Sequence, residues 1–131
     1  MQWKLNALIG CAALCLIAAC HADKTPHATA SDVAAAQQEV TRDLAQAKAE
    51  AAKDVKSVAK IPGANSRDIA HAKAVGSYDI AMVKADGDHK IAAEKCLTLQ
   101  AELQAQCQAR ADADYEDAKA EAKSGRAARR S

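Results

Sequence analysis

The spacing of apolar residues after position 30 predicts amphipathic helices. The first helix is predicted over about 32–60, where apolar residues recur at steps of three, four and seven and form one narrow stripe. That stripe consists of Val33, Val40, Leu44, Ala47, Ala51, Val55 and Val58. Thr29 or Ser31 can cap its start. Pro62 ends it, because proline disfavours helix at the residue before it.

Two further helices are predicted over about 67–97 and 102–123. Asn65 or Ser66 can cap the second helix, with an aspartate at 68 placed as in a capping box. Glycines at 76 and 87 each reduce its helix propensity by about 1 kcal/mol, which predicts a kink or break at 86–88. The fold class is therefore all-α, with long, thin helices in a helical hairpin or a loose three-helix bundle. A basic, disordered tail is expected over 124–131.

A short motif recurs within the second and third helices. The segment 74–81 returns eleven residues later as 85–92, sharing alanine, glycine, isoleucine and alanine, and 111–118 is a third form. Because eleven residues make almost three helical turns, copies that lie eleven residues apart present the same face of the helix. The alternative is chance similarity within alanine-rich helix.

The first 19 residues have the three parts of a secretory signal peptide. Lys4 supplies the positive charge, residues 5–19 the apolar stretch, and alanines at 18 and 19 the small residues beside a cleavage point. The apolar stretch, about 15 residues, is shorter than the roughly 20 that a membrane-spanning helix needs. We therefore expect a leader that is removed, followed by a flexible tether over 20–30.

The run 16–20, L-I-A-A-C, resembles the lipobox of bacterial lipoprotein signal peptides. The resemblance implies that Cys20 becomes the first mature residue and carries the lipid, whose several acyl chains would anchor it durably. His21 stands where an aspartate favours inner-membrane retention in that family, which implies an outer-membrane protein facing the periplasm. Cys11 and Cys15 fit the pattern less well. An ordinary secretory signal and an uncleaved core helix are the alternatives.

Composition limits the function of the mature chain. The sequence contains 35 alanines, no Phe and one Trp, which lies in the leader, so Tyr78 and Tyr115 are the mature aromatic residues. Stacking platforms for single-stranded nucleic acid and ring-lined pockets for small molecules are therefore not expected. Removing Lys4 from the 18 Lys and Arg leaves 17, equal to the 17 Asp and Glu. A neutral chain has no global field to attract nucleic acid.

Cys96 and Cys107 remain once the leader and Cys20 are accounted for. An exported chain meets oxidising conditions, which favour a disulfide. On one straight helix the two residues would lie about 16 Å apart, whereas a disulfide needs Cα atoms within about 7 Å. Either the chain turns back between them and forms a hairpin, or they join two chains. Free thiols are the third possibility.

The segment 84–96, followed by Leu99 and Cys107, resembles an uncharacterised group of small exported, Ala/Lys-rich helical proteins of Gram-negative bacteria. That group carries A-D-x-D-Y-x-x-A-K-x-K-C and then C-x-x-L-x-G-x5-C, and the resemblance covers about 83–123. Two positions depart from it: the turn glycine is Ala101 here, and the tyrosine is His89. No settled activity follows from this resemblance.

No catalytic or metal-binding constellation is recognised, and we expect no cofactor and no enzymatic activity. His21, Asp23 and His27 lie in the expected tether, where a metal would have no scaffold. The sequence predicts a non-enzymatic outer-membrane lipoprotein with a structural or interaction role in the envelope, whose partners are the membrane and a second copy of itself. The alternative is a periplasmic stress-related module that binds unfolded client proteins or a metal ion.

Overall fold

The computed structural model describes residues 28–128, which form three α-helices and no strand. Helix α1 spans Ala30–Ala59, α2 spans Ser66–Cys96 and α3 spans Ala101–Ala128. The predicted all-α fold is confirmed. The predicted leader, the proposed lipidation site at Cys20 and most of the predicted tether lie outside the described residues. No helix between residues 28 and 128 is long and apolar enough to cross a membrane.

Capping boxes define the starts of α1 and α2. The backbone N–H of Thr29 donates to the carboxylate of Asp32 at 2.8 Å, and the Thr29 hydroxyl accepts from the backbone of Asp32. Asn65 and Asp68 make the same exchange at the start of α2, at 2.9 and 3.2 Å. Between the two helices, Gly63 turns the chain with a φ of 85°, in the left-handed region that glycine enters without strain. Local sequence therefore sets both starts, within two residues of the predicted positions.

Helix α2 lies between the other two helices. Within the described part of the chain, α1 and α3 each pack on α2, and no Cα atom of α1 lies within 8 Å of one in α3. Gly76 contacts α1, whereas Tyr78, two positions and about 200° further round the helix axis, contacts α3. The three helices therefore lie side by side in one layer, each antiparallel to its neighbour.

Small residues form the buried interior of this layer. Between residues 28 and 128, the buried apolar residues are Ala36, Val40, Ala74, Ala85, Cys96 and Ala111. The three on α2, Ala74, Ala85 and Cys96, follow one another at intervals of eleven residues. The first two open the motif copies 74–81 and 85–92, which the spacing predicts to share a face. Each side chain buries little apolar area, so close approach of the helix backbones compensates for the small size of the side chains.

The predicted break at 86–88 is wrong, because α2 is continuous from Ser66 to Cys96. Its two internal glycines lie where α1 comes closest. A Cβ atom at Gly76 would lie 2.7 Å from the Cβ of Ala51, and one at Gly87 would overlap the Cγ1 methyl of Val40. The lower helix propensity of glycine is offset by the close packing that it permits.

The predicted end of α3 is also wrong, because the helix continues through Gly125 to Ala128. The guanidinium of Arg126 lies over the ring of Tyr78, with its carbon 4.9 Å from the ring centroid. This cation–π contact holds the last turn of α3 against α2. The expected disordered tail is therefore helical over 124–128, and residues 129–131 lie outside the described range.

Candidate functional site

A disulfide joins Cys96 to Cys107 across the turn between α2 and α3. Their Cα atoms are 5.5 Å apart, and Cys96, the last residue of α2, is only 1% exposed. Of the three arrangements that the sequence left open, the structure contains the bridge within one chain. Because each sulfur is bonded to the other, the pair offers no thiolate for nucleophilic or metal chemistry.

Two copies of the recurring motif face each other across the interface of α2 and α3. The Nε2 atom of His89 lies 2.7 Å from a carboxylate oxygen of Asp112, and the hydroxyl of Tyr115 donates to Asp86 at 2.5 Å. The two aspartates are second in their copies, and the two ring residues are fifth. Each copy therefore directs its carboxylate to the ring of the other, and the pairing has local twofold symmetry.

The two rings of this pairing stack on one another. The centroids of His89 and Tyr115 are 4.8 Å apart, and their planes make an angle of 27°. The ammonium group of Lys119 lies 4.6 Å from the Tyr115 centroid and also donates to Glu116 at 2.7 Å. We call this set of six residues the ring cluster: Asp86, His89, Asp112, Tyr115, Glu116 and Lys119. Its members come from both helices, so it forms only when α2 and α3 dock.

Hydrogen bonds shift the pKa values of two members of the ring cluster. The hydrogen bond to Asp86 raises the pKa of Tyr115 above its ordinary value of 10.0, and partial burial adds to the effect. The hydrogen bond to Glu116 raises the pKa of Lys119 above 10.5. Both shifts favour the protonated forms, an uncharged donor at Tyr115 and a cation at Lys119, which are the forms that make these contacts.

The same spacing continues along both helices. Tyr78 is fifth in the 74–81 copy, eleven residues before His89, and its partner Arg126 lies eleven residues after Tyr115. In the copies 74–81 and 85–92, the third residue is the glycine that contacts α1 and the fifth is the ring that contacts α3. The recurrence in α2 is therefore a packing repeat that serves both neighbouring helices.

The recurrence is visible in the sequence, where His89 and Tyr115 take equivalent places in their copies, but the pairing of the copies was not predicted. The glycines were expected to weaken the helix, with a kink or break at 86–88. The signal that could have revealed their role was the spacing of glycine and ring, G-x-Y at 76–78 and G-x-H at 87–89. Side chains two positions apart on a helix point in nearly opposite directions, so this spacing indicates a helix with a neighbour on each side.

A groove of about 420 Å³ runs between α1 and α2 on the surface of the layer. Val40, Val83 and Gly87 contribute apolar surface to it, and Asp43 and Glu50 are acidic members of its lining. Within residues 28–128, no group of three or more His, Cys, Asp and Glu side chains is arranged to hold a metal ion.

An ion pair connects α1 and α2 beside this groove. The ammonium group of Lys90 donates to the carboxylate of Glu39 at 2.5 Å. This contact lowers the pKa of Glu39 below its ordinary value of 4.5. Both side chains are more than two-fifths exposed, so solvent screens the interaction.

No protein-family model, curated protein or solved structure matches this chain. Its function therefore has to be argued from its own residues. The resemblances to lipoprotein signal peptides and to the small exported Ala/Lys-rich proteins stay predictions.

Proposed function

We propose that this protein is a non-enzymatic lipoprotein of the bacterial outer membrane, which presents its helical layer to the periplasm in a structural or interaction role. The observation that carries the proposal is the L-I-A-A-C run ending at Cys20, at the close of an apolar segment too short to span a bilayer. In this proposal, the lipid on Cys20 attaches the protein to the membrane.

The geometry of the helical layer is consistent with such an anchor. The backbone N–H of Ala28 donates to the carbonyl of Leu97 at 3.2 Å, so the chain enters α1 beside the turn between α2 and α3. A lipid on Cys20, eight positions earlier, would keep this disulfide-bridged end near the membrane. Helix α2 has 31 residues and is about 46 Å long, so the opposite end, around Gly63, would project into the periplasm.

The ring cluster supports a role without catalysis. The carboxylates of Asp86 and Asp112 are engaged by the rings of the opposite helix, and the hydroxyl of Tyr115 is used as the donor to Asp86. These groups are used in holding α3 against α2. A platform of docked helices, rather than a reaction centre, is the role that this arrangement favours.

The lipid anchor can be tested by metabolic labelling of the full-length chain with radioactive palmitate in a Gram-negative host. We expect the wild type to incorporate label and to sediment with outer membranes, and the signal-peptidase inhibitor globomycin to cause its unprocessed form to accumulate. Cys20→Ser should abolish labelling and release the protein from the membrane. Cys15→Ser is the matched control, because it removes a nearby cysteine of the same segment and should label normally. Equal labelling of the wild type and Cys20→Ser would refute the anchor.

A further inference from the structure

Helix α3 can be exchanged without changing how α1 packs on α2, although straightening the turn between α2 and α3 alters the carbonyl of Leu97 that accepts from the N–H of Ala28. Within residues 28–128 α3 packs on α2 alone, and α1 lies on the opposite side of α2. Its anchoring contacts are the disulfide, the ring cluster and the stacking of Arg126 on Tyr78. An α3 helix from a second, identical chain could therefore make all of these contacts with the same α2.

The turn that connects α2 to α3 has a sequence that is compatible with a helix. It consists of residues 97–100, Leu-Thr-Leu-Gln, and contains neither glycine nor proline. Leu97, which caps α2, keeps right-handed helical angles, with φ −67° and ψ −13°. Leucine and glutamine are good helix formers. A change of backbone angles confined to this short segment would join α2 and α3 into one continuous helix.

A continuous helix would give the backbone groups of the turn helical partners. These would replace present bonds, since the carbonyl of Leu97 accepts from Ala28 and that of Leu99 from the side chain of Gln104. In favour of the hairpin, the short turn holds α3 beside its own α2 at an effective concentration in the millimolar range. The balance between the two forms therefore depends on protein concentration.

We propose that two copies of this chain exchange α3 and form a domain-swapped dimer. In the dimer each chain contributes one helix from Ser66 to Ala128, and the two helices pair antiparallel so that every α2 receives the α3 of its partner. The disulfide then joins Cys96 of one chain to Cys107 of the other. The two thiols give up two protons and two electrons to a disulfide oxidant, oxidised glutathione in the test below, which is reduced to two thiols, and the new bond traps the exchange. The exchange uses contacts within residues 66–128 and is independent of the proposed lipid anchor.

The test uses the wild-type, full-length chain in two forms, one with natural isotopes and one labelled with ¹⁵N. An equal mixture is reduced, unfolded, and refolded with oxidised glutathione at protein concentrations from about 1 µM to about 1 mM, a range that reaches the effective concentration of a short linker. Cleavage after Glu94, Glu102 and Glu116 separates the two cysteines onto different peptides. Disulfide-linked pairs of these peptides with one light and one heavy member can arise only between chains.

We expect such mixed pairs to be rare at the lowest concentration and abundant at the highest. Ala101→Pro places proline at the first residue of α3, where the hairpin tolerates it. In a continuous helix this proline would be internal, at a cost of about 3 kcal/mol, or about a hundredfold. Because a swapped dimer contains two such helices, its association constant should fall by about ten-thousandfold. Ser66→Pro is the matched control, because it changes the first residue of α2 and leaves the turn unaltered; its mixed pairs should equal those of the wild type.

Two results would overturn the proposal. One is the absence of mixed pairs from the wild type at every concentration while the Cys96–Cys107 bond forms within chains. The other is an equal yield of mixed pairs in the wild type and in Ala101→Pro, since a bridge made without a continuous helix would not respond to the proline.

Discussion

His89 and Tyr115 occupy equivalent positions in two copies of one motif, and they stack on each other with ring centroids 4.8 Å apart. The aspartate of each copy contacts the ring of the other copy, Asp112 with His89 and Asp86 with Tyr115. A single repeated pattern thus supplies both sides of an antiparallel helix interface. This arrangement accounts for the copy of the motif in α3, which begins at residue 111 and does not follow the eleven-residue spacing of the two copies in α2.

Energetic coupling between His89 and Tyr115 is the direct consequence of this stacking. We expect His89→Ala and Tyr115→Ala each to lower the free energy of unfolding, and the double variant to lose clearly less than the sum of the two. Denaturant unfolding followed by circular dichroism measures all three. Tyr78→Ala with His89→Ala is the control pair, since those side chains are eleven residues apart and should add. Strict additivity of the stacked pair would show that the contact contributes nothing.

The glycines of α2 provide a test of close helix packing. Gly87→Ala should destabilise the protein by about 1–3 kcal/mol, because the new methyl group would lie 3.0 Å or less from both methyl groups of Val40. Gly125→Ala should instead stabilise it by up to about 1 kcal/mol, since a Cβ atom there meets nothing within 4 Å and alanine favours helix. Thermal and denaturant unfolding of the two variants give opposite signs if this account is correct. Val40→Ala should partly rescue Gly87→Ala.

Tyr115 should ionise above pH 10.0 in the folded protein. The measurement is the rise of tyrosinate absorbance at 295 nm in a Tyr78→Phe background, where Tyr115 is the tyrosine that remains. Asp86→Asn should move the pKa back toward 10.0, because it removes the carboxylate that opposes a negative phenolate. An unchanged titration in Asp86→Asn would contradict the hydrogen bond.

This shift in Tyr115 also predicts a stability profile in alkali. A raised pKa means that the folded state favours the protonated phenol. The contribution of Tyr115 to the free energy of unfolding is therefore complete below the pKa of the unfolded state and is lost as the pH rises through the pKa of the folded state. Between about pH 9 and 12 the wild type should therefore lose more stability than Tyr115→Phe. The comparison needs unfolding curves at each pH for both proteins.

The ion pair of Glu39 with Lys90 predicts the opposite dependence in acid. Because the pKa of Glu39 is lowered, its contribution to the free energy of unfolding is present above the ordinary pKa of 4.5. This contribution disappears as the pH falls through the pKa of Glu39 in the folded state. Glu39→Gln should flatten the decline of stability between about pH 5 and 3. Lys90→Gln should flatten it by a similar amount, and combining the two should add little, since both remove one interaction. If the stability of Glu39→Gln fell with pH as steeply as that of the wild type, the ion pair would be contradicted.

Much of the local structure could be predicted because its causes lie close together in the chain. The apolar stripe of α1, the capping aspartate at Asp68 and the break at Pro62 each act over a few residues. The end of α3 could not be predicted in this way. It depends on the contact of Arg126 with Tyr78, which are distant in sequence and meet only when the helices dock.

The amino-acid sequence by itself determined three helices, their approximate ends and an eleven-residue recurrence, because propensity, capping and periodicity are local properties. Tertiary structure decided what these features do. Gly76 and Gly87 became sites of close approach once α1 packed beside them, and His89 and Tyr115 became partners once α3 folded back along α2. The sequence permitted Cys96 to bond within or between chains, and the path of the turn at 97–100 decides between the two.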